Sequence, residues 1–107
     1  MVYIGNILYD EKLLCEKKNL IICGAGVYGQ RILRYLEING VKQYVICFCD
    51  SNESLNGKYI EDIPVRLLGD VCQEYLDADY LVSGRYVKEI YQMLREKSIE
   101  KIHVLFF

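Results

Sequence analysis

Residues 19–38 limit the fold of this chain more than any other part of the sequence. The run NLIIC at residues 19–23 is apolar and has the length of a buried strand. The next six residues, GAGVYG, have glycine at the first, third and sixth positions, and a helical pattern of apolar side chains follows from Val27. A strand, a glycine turn and a helix in direct succession predict a β–α unit, the building block of parallel sheets.

Each glycine of this turn has a separate physical reason. Gly24 permits the tight turn that leaves the strand, and Gly26 removes a Cβ atom where a phosphate group must approach the backbone. Gly29 lets the helix pack closely against the sheet. The first backbone N–H groups of the helix have no partner within the helix and favour an anion. The pattern therefore predicts a site for the phosphates of a nucleotide; the alternative is a glycine turn that serves only tight packing.

An acidic residue follows the next apolar run. In dinucleotide-binding domains, a carboxylate at the end of the second strand binds the ribose. Asp50 ends the run at residues 44–49, YVICFC, and comes 26 positions after Gly24. This spacing is a little longer than the usual ~20 residues. A carboxylate at this place accepts hydrogen bonds from ribose hydroxyls and repels a 2′-phosphate, which argues against NADP.

The other elements complete an α/β pattern. Further strands are predicted at residues 78–83 and 101–106, and helices at 27–38 and from Val87 to about Lys97. We expect a small three-layer domain with a mostly parallel sheet of about four main strands. A helix at residues 4–17 precedes it, so that residues 1–18 form an N-terminal helix and residues 19–107 the α/β domain.

Smaller features lie between these elements. Residues 58–60 and 63–65 are predicted as two short extended pieces, in the manner of a small hairpin, and Pro64 is expected to confine them to an edge or a loop. Asp70, with Gln73 three positions on, is predicted to cap a short helix.

Ser83 and Gly84 end the third main strand, and this places them at the same edge of the sheet as the glycine turn. Ser83 has a hydroxyl for a ligand, Gly84 permits close backbone approach, and Tyr28 is placed to stack on a ligand or cover it. A plain turn and a packed or exposed tyrosine are the simpler alternatives, and a solvated Arg85 is the alternative to a phosphate partner. The candidate binding residues are Gly24, Ala25, Gly26, Val27, Tyr28, Gly29, Asp50, Ser51, Ser83 and Gly84.

Length and charge narrow the classes of partner. A chain of 107 residues has room for one domain, which excludes a complete two-lobed dehydrogenase. The net charge of −2 and the pI of about 5.4 give no basic footprint, so we expect no nucleic acid partner. No apolar run approaches the ~20 residues of a spanning helix, and no secretory signal is present, so we expect a cytoplasmic protein without membrane insertion.

The cysteines and the single histidine do not indicate a metal or a catalytic site. Five cysteines are an odd number without disulfide-scaffold density, and the pair Cys47 and Cys49 has no second pair of ligands at zinc spacing. His103 lies in a predicted strand without a Ser or Cys partner in a recognisable turn. We expect buried thiols, a histidine that finds a local hydrogen bond or solvent, and no metal.

At these residues the chain resembles a known group of domains. The segments KKNLIICGAGVYGQRILRYL and VICFCDSNESLNGKYIEDIPV resemble the N-terminal nucleotide-sugar-binding, Rossmann-like domain of bacterial sugar O-acyltransferases. They are also similar to the CoA-binding-like domain of polysaccharide-biosynthesis nucleotide-sugar dehydratases. The likeness covers roughly residues 18–106. Its elements after the glycine turn are Phe48, Asp50, Leu55, Gly57, Lys58, Ile60, Ile63, Pro64 and Val65.

The resemblance implies binding without chemistry. In the acyltransferases this domain holds the UDP-sugar, while a C-terminal β-helix with hexapeptide repeats binds acetyl-CoA, and no such repeats are present here. In the dehydratases, too, the chemical step takes place in a further domain. A histidine is common in the glycine turn of the family, where this chain has Tyr28. What transfers is a binding role for Gly24, Gly26, Gly29 and Asp50.

The sequence therefore predicts a non-catalytic module for a nucleotide or nucleotide-sugar, linked to surface polysaccharide synthesis, with UDP-sugar, NAD and CoA as candidate ligands. One alternative is the NAD-binding part of an epimerase or dehydratase completed by another chain, although no Tyr-x-x-x-Lys pair is present in a helical context. Another is a regulatory or interaction domain with an empty site. The N-terminal helix would then bury Ile4, Ile7, Leu8 and Leu14 against the domain, across a homodimer or on an enzyme partner.

Overall fold

The computed structural model describes residues 2–4, 7–9 and 19–106 of the chain. Its strands and helices alternate through the main body, as the β–α pattern predicts. The strands are β1 (Val2–Ile4), β2 (Ile7–Tyr9), β3 (Leu20–Cys23), β4 (Val45–Asp50), β5 (Tyr59–Ile60), β6 (Ile63–Leu67), β7 (Asp79–Val82) and β8 (Ile102–Val104). The helices are α1 (Val27–Ile38), α2 (Leu68–Glu74) and α3 (Val87–Glu96), with short 3₁₀ turns at Lys42–Tyr44 and Glu53–Leu55.

Within the described residues, one six-stranded sheet has the order β5-β6-β4-β3-β7-β8. Its pairings are parallel except between β5 and β6. The five parallel strands, in the order β6-β4-β3-β7-β8, follow the doubly wound arrangement. In it the strand that comes first in the chain, β3, lies between β4, the second of the five, and β7, the fourth. The strand order therefore reverses between β3 and β7, and such a reversal opens a crevice at the carboxyl ends of the strands.

Alternating side chains of the central strand face two separate apolar clusters. Ile22 of β3 packs in one cluster with α1, and Ile21 packs in the other with α2 and α3. All three helices place fully buried side chains against the sheet, among them Leu33 of α1, Val71 of α2 and Leu94 of α3. The predicted three-layer Rossmann-like architecture is confirmed.

The sheet is larger than the predicted set of about four main strands. The segment around Pro64 forms β5 and β6, which join through a two-residue turn at Glu61 and Asp62, both with positive φ. Pro64 lies opposite Tyr59 of the edge strand β5, whereas the pairing with β4 begins at Val65. The prediction of an edge or loop was wrong for β6, because the proline precedes the residues whose backbone groups bond to β4.

Two helix predictions also need correction. The helix predicted at residues 4–17 is wrong where the structure describes it, because Val2–Ile4 and Ile7–Tyr9 pair as antiparallel strands. Glycine and asparagine, the residues at positions 5 and 6 of the sequence, have low helix propensity, a signal that the apolar pattern outweighed in the prediction. Residues 10–17 lie outside the described residues, and the domain boundary at residue 18 stays a prediction.

Asp70 does not cap α2. That helix begins at Leu68, two positions earlier, with Leu67 at the N-cap and no side-chain cap hydrogen bond. Asp70 therefore lies inside the first helical turn, where its negative charge is favourable to the helix dipole.

Candidate functional site

The glycine turn after β3 has the geometry that its sequence predicts. Gly24 has a φ of 92°, in the region that favours glycine, and its N–H donates to the carbonyl of Cys49 at 2.7 Å. A Cβ atom on Gly29 would overlap the carbonyl oxygen of Gly24, so that only glycine lets α1 start this close to the strand. The turn is fixed to the sheet at one end and to the helix at the other.

The N-terminus of α1 is open toward solvent. Gly26 is its N-cap residue and no side-chain cap hydrogen bond is made there. A Cβ atom on Gly26 would have no neighbour within 4 Å, so the missing side chain leaves free space above the turn. The first N–H groups of this twelve-residue helix therefore have no side-chain cap, and no atom of the described residues lies above Gly26; uncapped N–H groups of this kind favour an anion.

Asp50 holds the glycine turn from the neighbouring strand. Its Oδ2 atom accepts a hydrogen bond from the N–H of Ala25 at 3.0 Å, and its Oδ1 atom accepts one from the N–H of Asn52 at 2.9 Å. A carboxylate has about four acceptor positions, so both oxygens retain capacity for ribose hydroxyls. Asp50 thus lies beside the turn, as predicted, and it also has a structural role that the sequence did not indicate.

Two clefts lie at the carboxyl edge, beside the reversal of strand order. The first, of about 290 Å³, extends from the glycine turn to the start of α3. It is lined by Cys23, Gly24, Gly26, Val27, Tyr28, Gly29, Ser83, Arg85, Tyr86 and Ile90. The second, of about 320 Å³, is lined by Tyr28, Ser83, Gly84, Arg85 and Phe106.

Tyr28 and Gly84 meet between these clefts. A Cβ atom on Gly84 would come within 2.7 Å of the Tyr28 ring, and Gly84 has a φ of 104°, which side chains rarely adopt. The guanidinium carbon of Arg31 lies 5.3 Å from the centroid of the same ring, within cation–π range. The close approach that the sequence assigned to Gly84 is thus made by a side chain of the protein.

The structure brings most of the predicted residues to one edge. Gly24, Gly26, Val27, Tyr28 and Gly29 line the first cleft together with Ser83. Gly84 lines the second cleft, and Ala25 is bonded to Asp50. Ser51 is exposed and lines neither cleft. Their roles in binding stay predictions.

Five cleft residues were absent from the predicted set: Cys23, Arg85, Tyr86, Ile90 and Phe106. Arg85 had been weighed as a phosphate partner or a solvated side chain. Tyr86 and Ile90 lie at the start of α3, and Phe106 follows β8. Tyr86 and Phe106 are more than half exposed. For Tyr86 the sequence offered one signal, its position directly after the turn predicted at the carboxyl edge. No sequence signal indicated that Phe106 lines a cleft.

Two thiols lie under the glycine turn. The Sγ atoms of Cys23 and Cys49, paired in register on β3 and β4, are 3.6 Å apart. The hydrogen bond to Cys23 and burial raise the pKa of Cys49 well above its usual range. Both cysteines, with Cys47 and Cys72, are buried free thiols, as the sequence predicted.

The single histidine lies away from this edge. His103 is in β8 and its Nε2 atom is 2.7 Å from Oδ1 of Asp79, which begins β7 at the opposite end from Ser83. Of the two alternatives predicted for this ring, a local hydrogen bond or solvent, the structure shows a hydrogen bond, to a residue of the neighbouring strand. Among the described residues, no group of three or more His, Cys, Asp or Glu side chains is placed to hold a metal ion.

The strand order, the glycine turn and the cleft at the reversal point define a Rossmann-like domain. Solved structures with this fold include RSP, a Rex-family repressor, with a TM-score of 0.65 and 24% identity over 88% of this chain and 48% of that one. RSP in complex with beta-NADH has a TM-score of 0.62 and 24% identity, over 82% of this chain and 45% of that one. RSP in complex with beta-NAD+ and operator DNA has a TM-score of 0.61 and 20% identity, over 82% of this chain and 49% of that one.

These likenesses show the fold, and the chain spans about half the length of those proteins. No family model matches the chain, and no curated protein does. The resemblance to sugar acyltransferases and nucleotide-sugar dehydratases is therefore unsupported at the level of family. The same holds for the link to polysaccharide synthesis.

One expectation about partners was wrong. The charge balance led us to exclude nucleic acid, yet RSP, which contains a domain of this fold, is found with operator DNA. Net charge describes a whole chain and not one of its surfaces, and this chain matches only part of RSP, so the exclusion does not hold. Among the described residues, no helix has the length and apolar character needed to cross a membrane.

Proposed function

We propose that this chain is a nucleotide-binding domain in which the glycine turn holds the phosphates. The observation on which the proposal rests is the open N-terminus of α1. Its uncapped N–H groups, the free space above Gly26 and a cleft of about 290 Å³ coincide where the strand order reverses. Ligands of open α/β sheets bind at this place because backbone donors and the helix dipole point into the crevice.

Asp50 favours ligands with a free ribose next to the phosphates. Its oxygens lie at the end of β4, next to the turn, with acceptor capacity beyond their two backbone bonds. An NADP-type 2′-phosphate at the same place would meet a like charge. NAD(H) is the first ligand to test, because two of the similar structures contain it. UDP-sugars and CoA, the other candidates from the sequence, serve as comparison ligands.

Isothermal titration calorimetry of the whole chain with ADP, NADH, NADPH, a UDP-sugar and CoA tests the proposal. We expect ADP and NADH to bind, and NADPH to bind more weakly than NADH because of Asp50. Gly26→Val should abolish binding while the domain stays folded, since the new side chain fills space that the phosphates need.

Gly69→Val is the matched control. Gly69 lies in α2, outside both clefts, and its Cβ position is also free of neighbours within 4 Å. This variant should bind as the wild type does. Absence of heat with every ligand at millimolar concentration, or equal binding by Gly26→Val, would refute the proposal.

A further inference from the structure

Tyr28 divides the crevice at the carboxyl edge into two compartments. Its ring lines both clefts, together with Ser83 and Arg85. The ring extends from the first turn of α1 to the turn that follows β7, and so crosses the point where the strand order reverses. The route from the glycine turn to the second cleft therefore passes this ring.

Two contacts hold the ring in place. Gly84 has no side chain where a Cβ atom would be 2.7 Å from Cγ and Cδ2 of Tyr28, so the ring rests directly on the backbone. Arg31, one helical turn along α1, approaches the ring centroid at 5.3 Å. Tyr28 is still 39% exposed, so part of the side chain faces solvent, into which the ring can turn.

The position of the ring affects long ligands more than short ones. A nucleoside diphosphate with its ribose at Asp50 and its phosphates at the glycine turn needs only the first cleft, on one side of the ring. A dinucleotide continues from the phosphates toward Ser83, two strands away from Asp50, a distance of roughly 10 Å across the sheet. Its second nucleoside reaches the cleft at Ser83 and Phe106 only if the ring turns aside.

We propose that Tyr28 is a selectivity residue, whose ring, seated on Gly84, disfavours dinucleotides relative to nucleoside diphosphates. This inference rests on the proposed nucleotide site and adds a preference for ligand length. A dinucleotide binds at the cost of the ring contacts with Gly84 and Arg31, whereas a nucleoside diphosphate leaves both contacts intact.

The ratio of the dissociation constants of NADH and ADP measures this preference. In Tyr28→Ala we expect the ratio to fall about five- to thirtyfold, the range that corresponds to one aromatic and one cation–π contact. The affinity for ADP in the same variant is the reference, so a change at the glycine turn that affects both ligands cancels in the ratio. Arg31→Ala, which frees one side of the ring, should lower the ratio by a smaller factor.

Two controls keep the comparison specific to the ring. Tyr28→Phe retains the ring and its contacts and should keep the wild-type ratio. Tyr59→Ala removes a tyrosine that is 69% exposed on β5, outside both clefts, and should also leave the ratio unchanged. Thermal melts of each variant confirm that the domain is folded.

The outcomes separate the two proposals. If ADP and NADH bind but Tyr28→Ala leaves the ratio unchanged, the ring does not select for length. If the ratio rises instead, the ring stacks on the dinucleotide and the inference is wrong in sign. If neither nucleotide binds to any variant, the nucleotide site itself is refuted, and the selectivity inference with it.

Discussion

Asp50 and Ala25, 25 positions apart in the chain, are joined by a hydrogen bond of 3.0 Å from the backbone N–H of Ala25 to Oδ2 of Asp50. The bond ties the end of β4 to the middle of the glycine turn after β3. A carboxylate that accepts backbone N–H groups is a strong partner, because the acceptor is charged. Asp50 therefore stabilises the turn in the free protein.

Replacement of Asp50 should lower the stability of the free protein. Asp50→Ala removes the acceptor of two backbone N–H groups, and we expect the free energy of unfolding to fall by about 1–3 kcal/mol. Asp50→Asn retains one oxygen acceptor and should lose less. Urea denaturation measures both. Asp77→Ala is the control, since that side chain is 94% exposed; an equal loss there would contradict the role of Asp50.

The proposed contact between Asp50 and a ribose predicts a second effect of the same substitution. Under conditions in which Asp50→Ala is folded, we expect ribose-containing nucleotides to bind more weakly by about 1–3 kcal/mol. Calorimetry with ADP gives this number separately from the stability measurement. Unchanged affinity for ADP would show that Asp50 has only the structural role.

Replacement by alanine should lower the stability of the protein at Gly29 but not at Gly26. A Cβ atom at Gly29 overlaps the carbonyl oxygen of Gly24, so Gly29→Ala must displace backbone and should cost about 2 kcal/mol or more of stability. Gly26→Ala places its Cβ atom in open space and should leave the fold intact. Thermal melts of the two variants provide the comparison, and equal melting temperatures would contradict the close packing at Gly29.

Tyr80 should contribute through its hydroxyl as well as its ring. The side chain is fully buried, and its hydroxyl donates to the carbonyl of Tyr75 at 2.9 Å, with the carbonyl of Val71 3.3 Å away. Tyr80→Phe leaves the carbonyls at the end of α2 without this donor and should cost about 1–2 kcal/mol. Tyr59→Phe, at an exposed position, should cost nothing measurable in the same urea titration.

Stability should fall at alkaline pH because of Cys47. Burial raises the pKa of its thiol to about 12, from an ordinary value of 9.0. Between these values the unfolded chain has lost the proton and the folded chain retains it. The folded state thus binds more protons, and its stability declines as pH rises from about 9 toward 12, by at most about 1.4 kcal/mol per pH unit for one group.

Urea titrations from pH 8 to pH 11 check this slope. Cys47→Ala should start from a lower stability, because it leaves a small cavity, but should decline less steeply with pH. Parallel slopes for the wild type and the variant would show that Cys47 does not cause the decline.

The sequence predicted the central units of the fold from local patterns. Strand β3, the glycine turn and α1 were identified because an apolar run, three spaced glycines and a 3.6-residue period lie next to one another. The N-terminal helix failed because three-residue strands are too short for periodicity to distinguish them from a helical turn. The interior position of β6 was missed because Pro64 lacks an N–H group only at its own position. The residues that pair with β4, from Val65 on, keep theirs.

The sequence by itself determined the class of fold and the geometry of the glycine turn, because both depend on contacts between residues that are close in the chain. The tertiary structure decided what surrounds that turn. Asp50 bonds to Ala25, and Tyr28 rests on Gly84 across the reversal of strand order. These partners are 25 and 56 positions apart, and only strand order and register bring them together, which no local pattern specifies.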